Sequence, residues 1–111
     1  NLDLVLDRIV AYADAGADCL YAPGIRTKEQ VAAVVKAVHP KPVNLLIGWP
    51  GGLGVAEAAD LGVRRISIGG AMARTAWGAF MRGARDIFDN GSFNSFADGY
   101  PAGELNKMFG S

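Results

Sequence analysis

Apolar and polar residues follow two different patterns along the chain. Apolar residues recur at helical spacing over residues 2–15, and again after Thr27, which predicts two amphipathic helices. Between and after them lie short runs rich in apolar and β-branched residues, a composition typical of parallel strands buried on both faces. The predicted strands cover residues 18–22, 42–47 and 65–68.

The ends of these elements also carry sequence signals. Gly16 closes the first helix, and the segment from Thr27 to Gln30 has the spacing of a capping box that starts the second helix. Pro40 and Pro42 stop that helix, because proline cannot continue it. A short third helix over residues 55–61 ends at Gly62.

The last third of the chain is predicted to be helical. The longest helix, residues 71–88, has apolar residues on more than one stripe, so we expect it to contact two surfaces. A polar and aromatic connection follows, and Pro101 opens a last short helix that should dock by its apolar side. We interpret residues 1–111 as one partial domain in which residues 92–111 form this connection and docking helix.

The predicted order α-β-α-β-α-β-α-α places parallel strands about every two dozen residues, the minimum for short crossover helices. A weak repeat, A-D-x-G-[AV]-x-x-[LI], starts at Ala13 and again at Ala59. The fold is therefore α/β, as a small open sheet or as part of a TIM (β/α)8 barrel. Three strands leave two bare edges, and a complete barrel needs about 250 residues. We predict the last three βα units plus the C-terminal helix of such a barrel.

Composition narrows the function classes. The 11 basic and 11 acidic residues cancel and form no basic cluster, which argues against nucleic acid as a partner and favours a small molecule. No apolar run reaches the length of a membrane span. The single cysteine, Cys19, is expected to be a small core residue, and one cysteine fits a cytoplasmic location. Asn1 in place of an initiator Met predicts a truncated start.

Candidate substrate-binding residues lie at and after the predicted strand ends, where barrels of this kind build their active sites. Asn44 is a polar residue inside an apolar run, so its amide must be hydrogen-bonded, to a substrate or to a neighbouring strand. Arg26 is a strong anion ligand after the first strand, or an exposed residue of a plain turn. The candidates are Tyr21, Pro23, Gly24, Asn44, Gly48, Gly69 and Gly70.

Gly69 and Gly70 precede the long helix, so backbone N–H groups and the positive helix end would be available for an anion there. Close packing of strand against helix explains the same two glycines equally well. Carboxylates are missing at the predicted strand ends, and no zinc, P-loop or nucleophile-elbow motif is found. We therefore expect catalytic and metal-binding machinery to precede Asn1.

Four segments together resemble the C-terminal part of the isocitrate lyase/phosphoenolpyruvate mutase superfamily. They are residues 14–24 (DAGADCLYAPG), 41–44 (KPVN), 61–71 (LGVRRISIGGA) and 104–106 (ELN). The resemblance implies a (β/α)8 barrel that uses Mg²⁺, with ligands on earlier strands, to cleave or form C–C or P–C bonds of small 2-oxo or 2-hydroxy carboxylates or phosphonates through an enolate. It also implies a homo-oligomer in which the last barrel helix is exchanged between subunits.

The resemblance has one departure at the candidate site. Better-characterised relatives place a Glu, or a His and a Ser, at the end of the first of these strands, where this chain has Ala22, Pro23 and Gly24. Asn44 is a candidate for the Asn that relatives offer on the next strand. Two other functions stay open at this point: a phosphate-binding barrel enzyme that uses Gly69 and Gly70, and a non-catalytic half-barrel that dimerises or binds a partner.

Overall fold

The computed structural model describes residues 1–110, which form two compact units; the first covers Asn1–Ala71 and the second begins at Met72. In chain order the elements are α1 (Leu2–Asp14), β1 (Leu20–Tyr21), α2 (Lys28–Val38), β2 (Val43–Leu46), α3 (Val55–Asp60), β3 (Arg65–Ser67), α4 (Ala71–Asn90), a 3-10 helix (Asn94–Asp98) and α5 (Ala102–Met108). Apart from the 3-10 helix, this is the predicted order.

The first unit is built on a small parallel sheet in the order β1-β2-β3. This confirms the α/β class. The first strand is shorter than predicted, two residues instead of five. Pairing begins where the Leu20 N–H donates to the Pro42 carbonyl, at 2.9 Å, and Pro23 lacks an N–H with which to extend it.

The hydrophobic core lies between the sheet and the helices of the first unit. Leu20, Val43 and Leu45 point from β1 and β2 into this core and are at most 2% exposed. The apolar stripe of α2 packs against them, as its spacing predicted. The other core residues are Ile9, Ala22, Ile25, Val31, Val34, Val38, Ala58 and Val63.

The start of α2 forms the predicted capping box. The Thr27 hydroxyl accepts from the Gln30 N–H at 3.2 Å, and the Gln30 side-chain oxygen accepts from the Thr27 N–H at 3.1 Å. Two of the otherwise unpaired donors of the first turn are thereby satisfied. Because this turn directly follows the loop after β1, the capping box also fixes where that loop ends.

Two contacts hold the helices to the following strands. The Lys41 ammonium donates to the carbonyls of Ala13 and Ala17, which caps the end of α1. Gly62, after α3, has φ +94°, and a Cβ at this position would lie 2.7 Å from Val35 Cγ1. Only glycine allows the chain to turn from α3 into β3 this close to α2.

In the second unit, α4 extends to Asn90, two residues beyond the predicted end. The Asp86 carboxylate accepts from the Asn90 amide at 3.1 Å and from the Ser95 N–H at 3.4 Å. The bond from Asn90 is the main cause that lowers the pKa of Asp86. Asp86 thus joins α4 to the 3-10 helix, and the two elements enclose an apolar cavity of about 490 Å³.

Large apolar side chains of the second unit are exposed. Trp77 and Phe80 on α4 meet edge to face at 5.4 Å between ring centroids, and both are more than 60% exposed. Leu105, Met108 and Phe109 are also exposed at α5. Docking of this last helix by its apolar side stays a prediction. Within residues 1–110, every helix is too short or too polar to cross a membrane.

Candidate functional site

The face of the sheet opposite the core carries polar side chains. Side chains alternate between the two faces of a strand, so the neighbours of buried Leu20, Val43 and Leu45 point the other way. The register pairs Tyr21 with Asn44 and Asn44 with Arg65, which places these three residues in one row across the sheet.

Asn44 is the centre of a hydrogen-bond network on this face. Its amide oxygen accepts from the Arg65 guanidinium at 2.7 Å, and its amide nitrogen donates to the Ser67 hydroxyl at 2.9 Å. Asn44 is only 5% exposed, so its polar atoms need these partners. Of the two partners predicted for Asn44, a substrate or a neighbouring strand, the structure supplies the strand; contact with a substrate stays a prediction.

The network lies in an open concavity of about 450 Å³. Of the predicted substrate-binding residues, the concavity brings together Tyr21, Asn44 and Gly69. Its full lining is Cys19, Tyr21, Asn44, Leu46, Arg65, Ser67 and Gly69. Cys19 is exposed here, so its prediction as a core residue was wrong. It precedes Leu20, which points into the core, and therefore faces the other side of the sheet.

The other predicted residues lie outside this concavity. Pro23 and Tyr21 line a separate cavity of about 270 Å³ against α1. Gly24, with φ +90°, and Gly70 are exposed, and Gly48 is half-buried after β2. The Ala71 N–H donates to the Ile68 carbonyl at 3.1 Å, which closes the turn at Gly69 and Gly70. This N–H is therefore already bonded within the turn, and the phosphate-binding alternative stays a prediction.

Sequence reasoning did not include Arg65 and Ser67 among the candidates. Arg65 stood at the polar start of an apolar run and Ser67 inside it. The signal that would have found them is the two-residue period of a strand, since Arg65, Ser67 and Gly69 alternate with residues that face the helices. Register with Asn44 is not visible in the sequence, because it is set by pairing between strands.

A second polar feature lies where the loops leave β1 and β2. The Arg26 guanidinium carbon lies 4.3 Å from the ring centroid of Trp49, which is cation–π distance. Arg26 belongs to the loop after β1 and Trp49 to the loop after β2. Because carboxyl ends of neighbouring parallel strands lie at one edge of a sheet, this pair stands at the edge where parallel α/β folds bind ligands.

The chemistry of both features suits an anion and not a metal cation. Arg65, Asn44 and Ser67 offer hydrogen-bond donors and one fixed positive charge. Nowhere in residues 1–110 do three His, Cys, Asp or Glu side chains come together in a way that would hold a metal ion. The Mg²⁺ implied by the resemblance therefore does not fit the donor set of the described residues.

Comparison with known proteins follows from this geometry. The family model for phosphoenolpyruvate phosphomutase matches residues 1–88, which is most of the chain. The chain belongs to the phosphoenolpyruvate mutase family. No curated protein sequence gives a significant match.

Solved structures match over nearly the whole chain. A protein assigned as a lyase or mutase from Burkholderia cenocepacia J2315 is 46% identical, with a TM-score of 0.91 over 100% of this chain and 40% of that chain. Oxaloacetate acetylhydrolase is 27% identical, with a TM-score of 0.75 over 98% of this chain and 43% of its own. One matching structure of that enzyme contains its product oxalate.

A third match concerns the fold alone. 2,3-Dimethylmalate lyase, a phosphoenolpyruvate mutase/isocitrate lyase superfamily member, is 23% identical and has a TM-score of 0.76 over 97% of this chain and 39% of its own. The 111 residues thus span about two fifths of the length of the structures they match. Membership in this superfamily of lyases, mutases and an acetylhydrolase shows the general kind of enzyme from which the fold comes.

Proposed function

We propose that residues 1–111 are the C-terminal section of a (β/α)8 barrel enzyme of the phosphoenolpyruvate mutase/isocitrate lyase superfamily. The section comprises the last three βα units and the C-terminal helix. The enzyme cleaves or forms C–C or P–C bonds of small 2-oxo or 2-hydroxy carboxylates or phosphonates by way of an enolate. The observation that carries this proposal is the polar network of Asn44, Arg65 and Ser67 on the sheet face opposite the helices.

The position of the network supports this proposal. In a (β/α)8 barrel the helices cover the outside of the sheet and the opposite face lines the interior. Asn44 and Arg65 would then face the interior of the barrel together with Tyr21, their neighbour in the same row. A sheet of three strands with this polar face is incomplete by itself, which agrees with its match to about two fifths of longer chains.

Arg65 is suited to bind a carboxylate of the substrate. One N–H of its guanidinium donates to Asn44, which fixes the plane of the group, and the side chain is otherwise exposed. A guanidinium fixed in this way can receive a carboxylate with two parallel hydrogen bonds. Oxaloacetate acetylhydrolase, which binds its product oxalate, provides the model for such a substrate. In this proposal Arg65 binds and orients, and Asn44 positions Arg65.

The remaining chemistry belongs to other parts of the complete enzyme. The network of Arg65, Asn44 and Ser67 includes no carboxylate or imidazole that would act as a general base. Mg²⁺, where the complete enzyme uses it, would take its ligands outside residues 1–110.

We also propose a cytoplasmic homo-oligomer with helix exchange, supported by the exposed Trp77 and Phe80 on α4.

The test is an assay of the complete gene product against oxaloacetate and related 2-oxo and 2-hydroxy acids, with and without Mg²⁺. We expect turnover, and we expect Arg65→Gln to lower kcat/KM by about 10- to 100-fold, the range for a lost hydrogen bond to a charged group. Arg85→Gln on α4 is the matched control and should keep the wild-type rate. Absence of turnover, or equal rates for both variants, would contradict the proposal.

A further inference from the structure

Arg26 and Trp49 form a cation–π pair that has no role in the proposed function. The guanidinium lies 4.3 Å from the centroid of the indole ring, although Arg26 is exposed. A free arginine side chain samples many rotamers, so stacking on a ring restricts a charge that would otherwise be mobile. The pair therefore presents a cation at a defined place on the carboxyl edge of the sheet.

Both partners are held by their own loops. The Arg26 N–H donates to the Gln30 side-chain oxygen at 2.8 Å, the same oxygen that accepts from Thr27 in the capping box. On the other side, Gly52 lies in the same loop as Trp49, and a Cβ at Gly52 would lie 3.0 Å from Ile47 Cγ2 and 3.5 Å from the Trp49 indole nitrogen. The backbone of Arg26 is thus held by the start of α2, and the Trp49 ring lies close to Gly52 in its own loop.

The hydrogen-bonding groups of Arg26 are left for another partner. Stacking occupies a face of the guanidinium, whereas its N–H groups lie in the plane and point away from its centre. Lys28 pairs with Glu57 and Lys107 with Glu104, and neither of these ion pairs includes Arg26. A planar fork of this kind matches a carboxylate with two parallel hydrogen bonds.

We propose that the Arg26–Trp49 pair determines substrate specificity by binding the second carboxylate of a dicarboxylate. This inference rests on the proposed function, which supplies a small carboxylic acid as substrate. A monocarboxylate would leave the Arg26 guanidinium without its partner, so the pair selects for two acidic groups. Trp49 acts as the positioning residue, because it holds the guanidinium without touching the carboxylate.

The experiment measures equilibrium binding to the complete gene product by isothermal titration calorimetry. Succinate serves as the dicarboxylate probe and butyrate, with the same number of carbons, as the monocarboxylate probe. We expect wild-type protein to bind succinate more tightly. Arg26→Ala should raise the Kd of succinate about 10-fold, as expected for loss of a charge-assisted hydrogen-bonded pair, and change the Kd of butyrate less than about twofold.

Three further variants separate stacking from charge. Arg26→Lys keeps the charge but loses the planar fork, and Trp49→Leu removes the ring. Both variants should therefore raise the Kd of succinate above the wild-type value, but by less than Arg26→Ala does. Lys36→Ala removes one exposed charge from α2 and should bind succinate like wild type. Thermal unfolding by circular dichroism verifies that all variants fold.

Because these probes measure binding alone, failure of the pair and failure of the proposed reaction give different results. A protein that binds succinate through Arg26 but turns over no oxaloacetate keeps this inference and overturns the lyase proposal. Equal affinity of wild type for succinate and butyrate, no binding of succinate, or an unchanged succinate Kd in Arg26→Ala would each overturn the inference.

Discussion

Asn44 decides how the polar face of the sheet is organised. A buried amide inside a strand costs free energy unless both of its polar atoms are bonded, and here its partners are the side chains of Arg65 and Ser67. The same amide therefore stabilises the pairing of β2 with β3 and fixes the orientation of a guanidinium. In the proposed function, Asn44 would therefore act both in stability and in positioning Arg65.

Substitution of Asn44 should show both roles. We expect Asn44→Ala to lower the free energy of unfolding by about 1–3 kcal/mol, because it leaves Ser67 and Arg65 without their partner. Urea denaturation followed by circular dichroism measures this. In the complete enzyme the same change should reduce turnover by more than the loss of folded protein explains. Equal losses of turnover and of folded protein would mean that Asn44 is purely structural.

Gly62 provides a second prediction at a single residue. Gly62→Ala combines a positive φ of +94° with a contact of 2.7 Å to Val35 Cγ1, so it should destabilise the protein by more than about 1 kcal/mol. Gly103→Ala in α5 is the matched control: it meets no atom within 4 Å and should be neutral or stabilising. Urea midpoints of the two variants test this. Similar midpoints for both variants would show that the turn at Gly62 has relaxed.

Residues of the site were only partly predictable from the sequence. Asn44 stood out because an amide inside an apolar run has to be explained. Arg65 was missed, since its neighbourhood with Asn44 depends on strand register. Cys19 was placed in the core because it precedes an apolar run, but the two-residue period of β1 puts it on the opposite face.

At the scale of elements, the sequence predicted correctly those features that depend on residues close together in the chain. The capping box predicted the start of α2. Of the apolar stripe predicted for that helix, Val31, Val34 and Val38 are buried, and Val35 is partly buried against the core. The ends of a strand depend instead on hydrogen bonds to the neighbouring strand, which the sequence does not show. All three strands were therefore predicted too long. The 3-10 helix was missed because its contact with α4 runs through Asp86, which lies eight residues before its first residue, Asn94.

The capping box gives a prediction for the stability of α2. We expect Thr27→Ala to cost about 0.5–2 kcal/mol, because the Gln30 N–H loses its acceptor. Thermal unfolding measures the effect. Thr27→Ser keeps the hydroxyl and is the control, with a melting temperature near that of wild type. A loss of equal size in Thr27→Ser would point to packing of the Thr27 methyl group instead of the cap.

An ion pair between α2 and α3 makes the first unit sensitive to pH. Glu57 accepts from Lys28 at 2.6 Å and from the Gly54 N–H at 3.1 Å, and these bonds lower the pKa of Glu57. The hydrogen bond to Glu57 raises the pKa of Lys28. Because the folded pKa of Glu57 lies below its unfolded value, its contribution to stability is present above the unfolded value and is lost as pH falls through the folded one.

Glu57→Gln should therefore remove the part of the folding stability that wild type has at neutral pH and loses in acid. We expect the difference in urea midpoint between wild type and Glu57→Gln to shrink as pH is lowered from about 7 to about 3, across the range in which carboxylates titrate. Lys28 also stabilises the folded state, but with the opposite pH dependence: because its pKa is raised, its contribution is lost as pH rises to strongly alkaline values. The pair is exposed, so high salt should also reduce the difference. A difference independent of both pH and salt would contradict this.

At the scale of the whole molecule, the sequence and the structure agree on an α/β fold with a small parallel sheet. Three parallel strands have a core on one face and a polar network on the other. The α/β class and the family followed from the order of elements and from motifs in sequence. In the barrel that we propose, the residues opposite Arg65 would come from strands that are distant in the chain, so the local pattern of these 111 residues could not identify them.

The last prediction concerns Mg²⁺ and tests the proposal that residues 1–111 are one section of a longer enzyme. With no group of three metal-binding side chains among residues 1–110, the chain as given should gain no thermal stability from millimolar Mg²⁺. A ligand that binds only the folded state stabilises it by about 2.7 kcal/mol at one hundred times its Kd, so a complete enzyme that binds Mg²⁺ should melt at a higher temperature when the ion is added. Samples of both proteins that are treated with EDTA and dialysed, and then melted with and without added Mg²⁺, make the comparison. If Mg²⁺ stabilised both proteins equally, its ligands would lie on this chain, and the prediction would be wrong. If Mg²⁺ stabilised only the longer protein, its ligands would lie on the earlier strands. Arg65 and Arg26 would then be the contribution of residues 1–111 to anion binding.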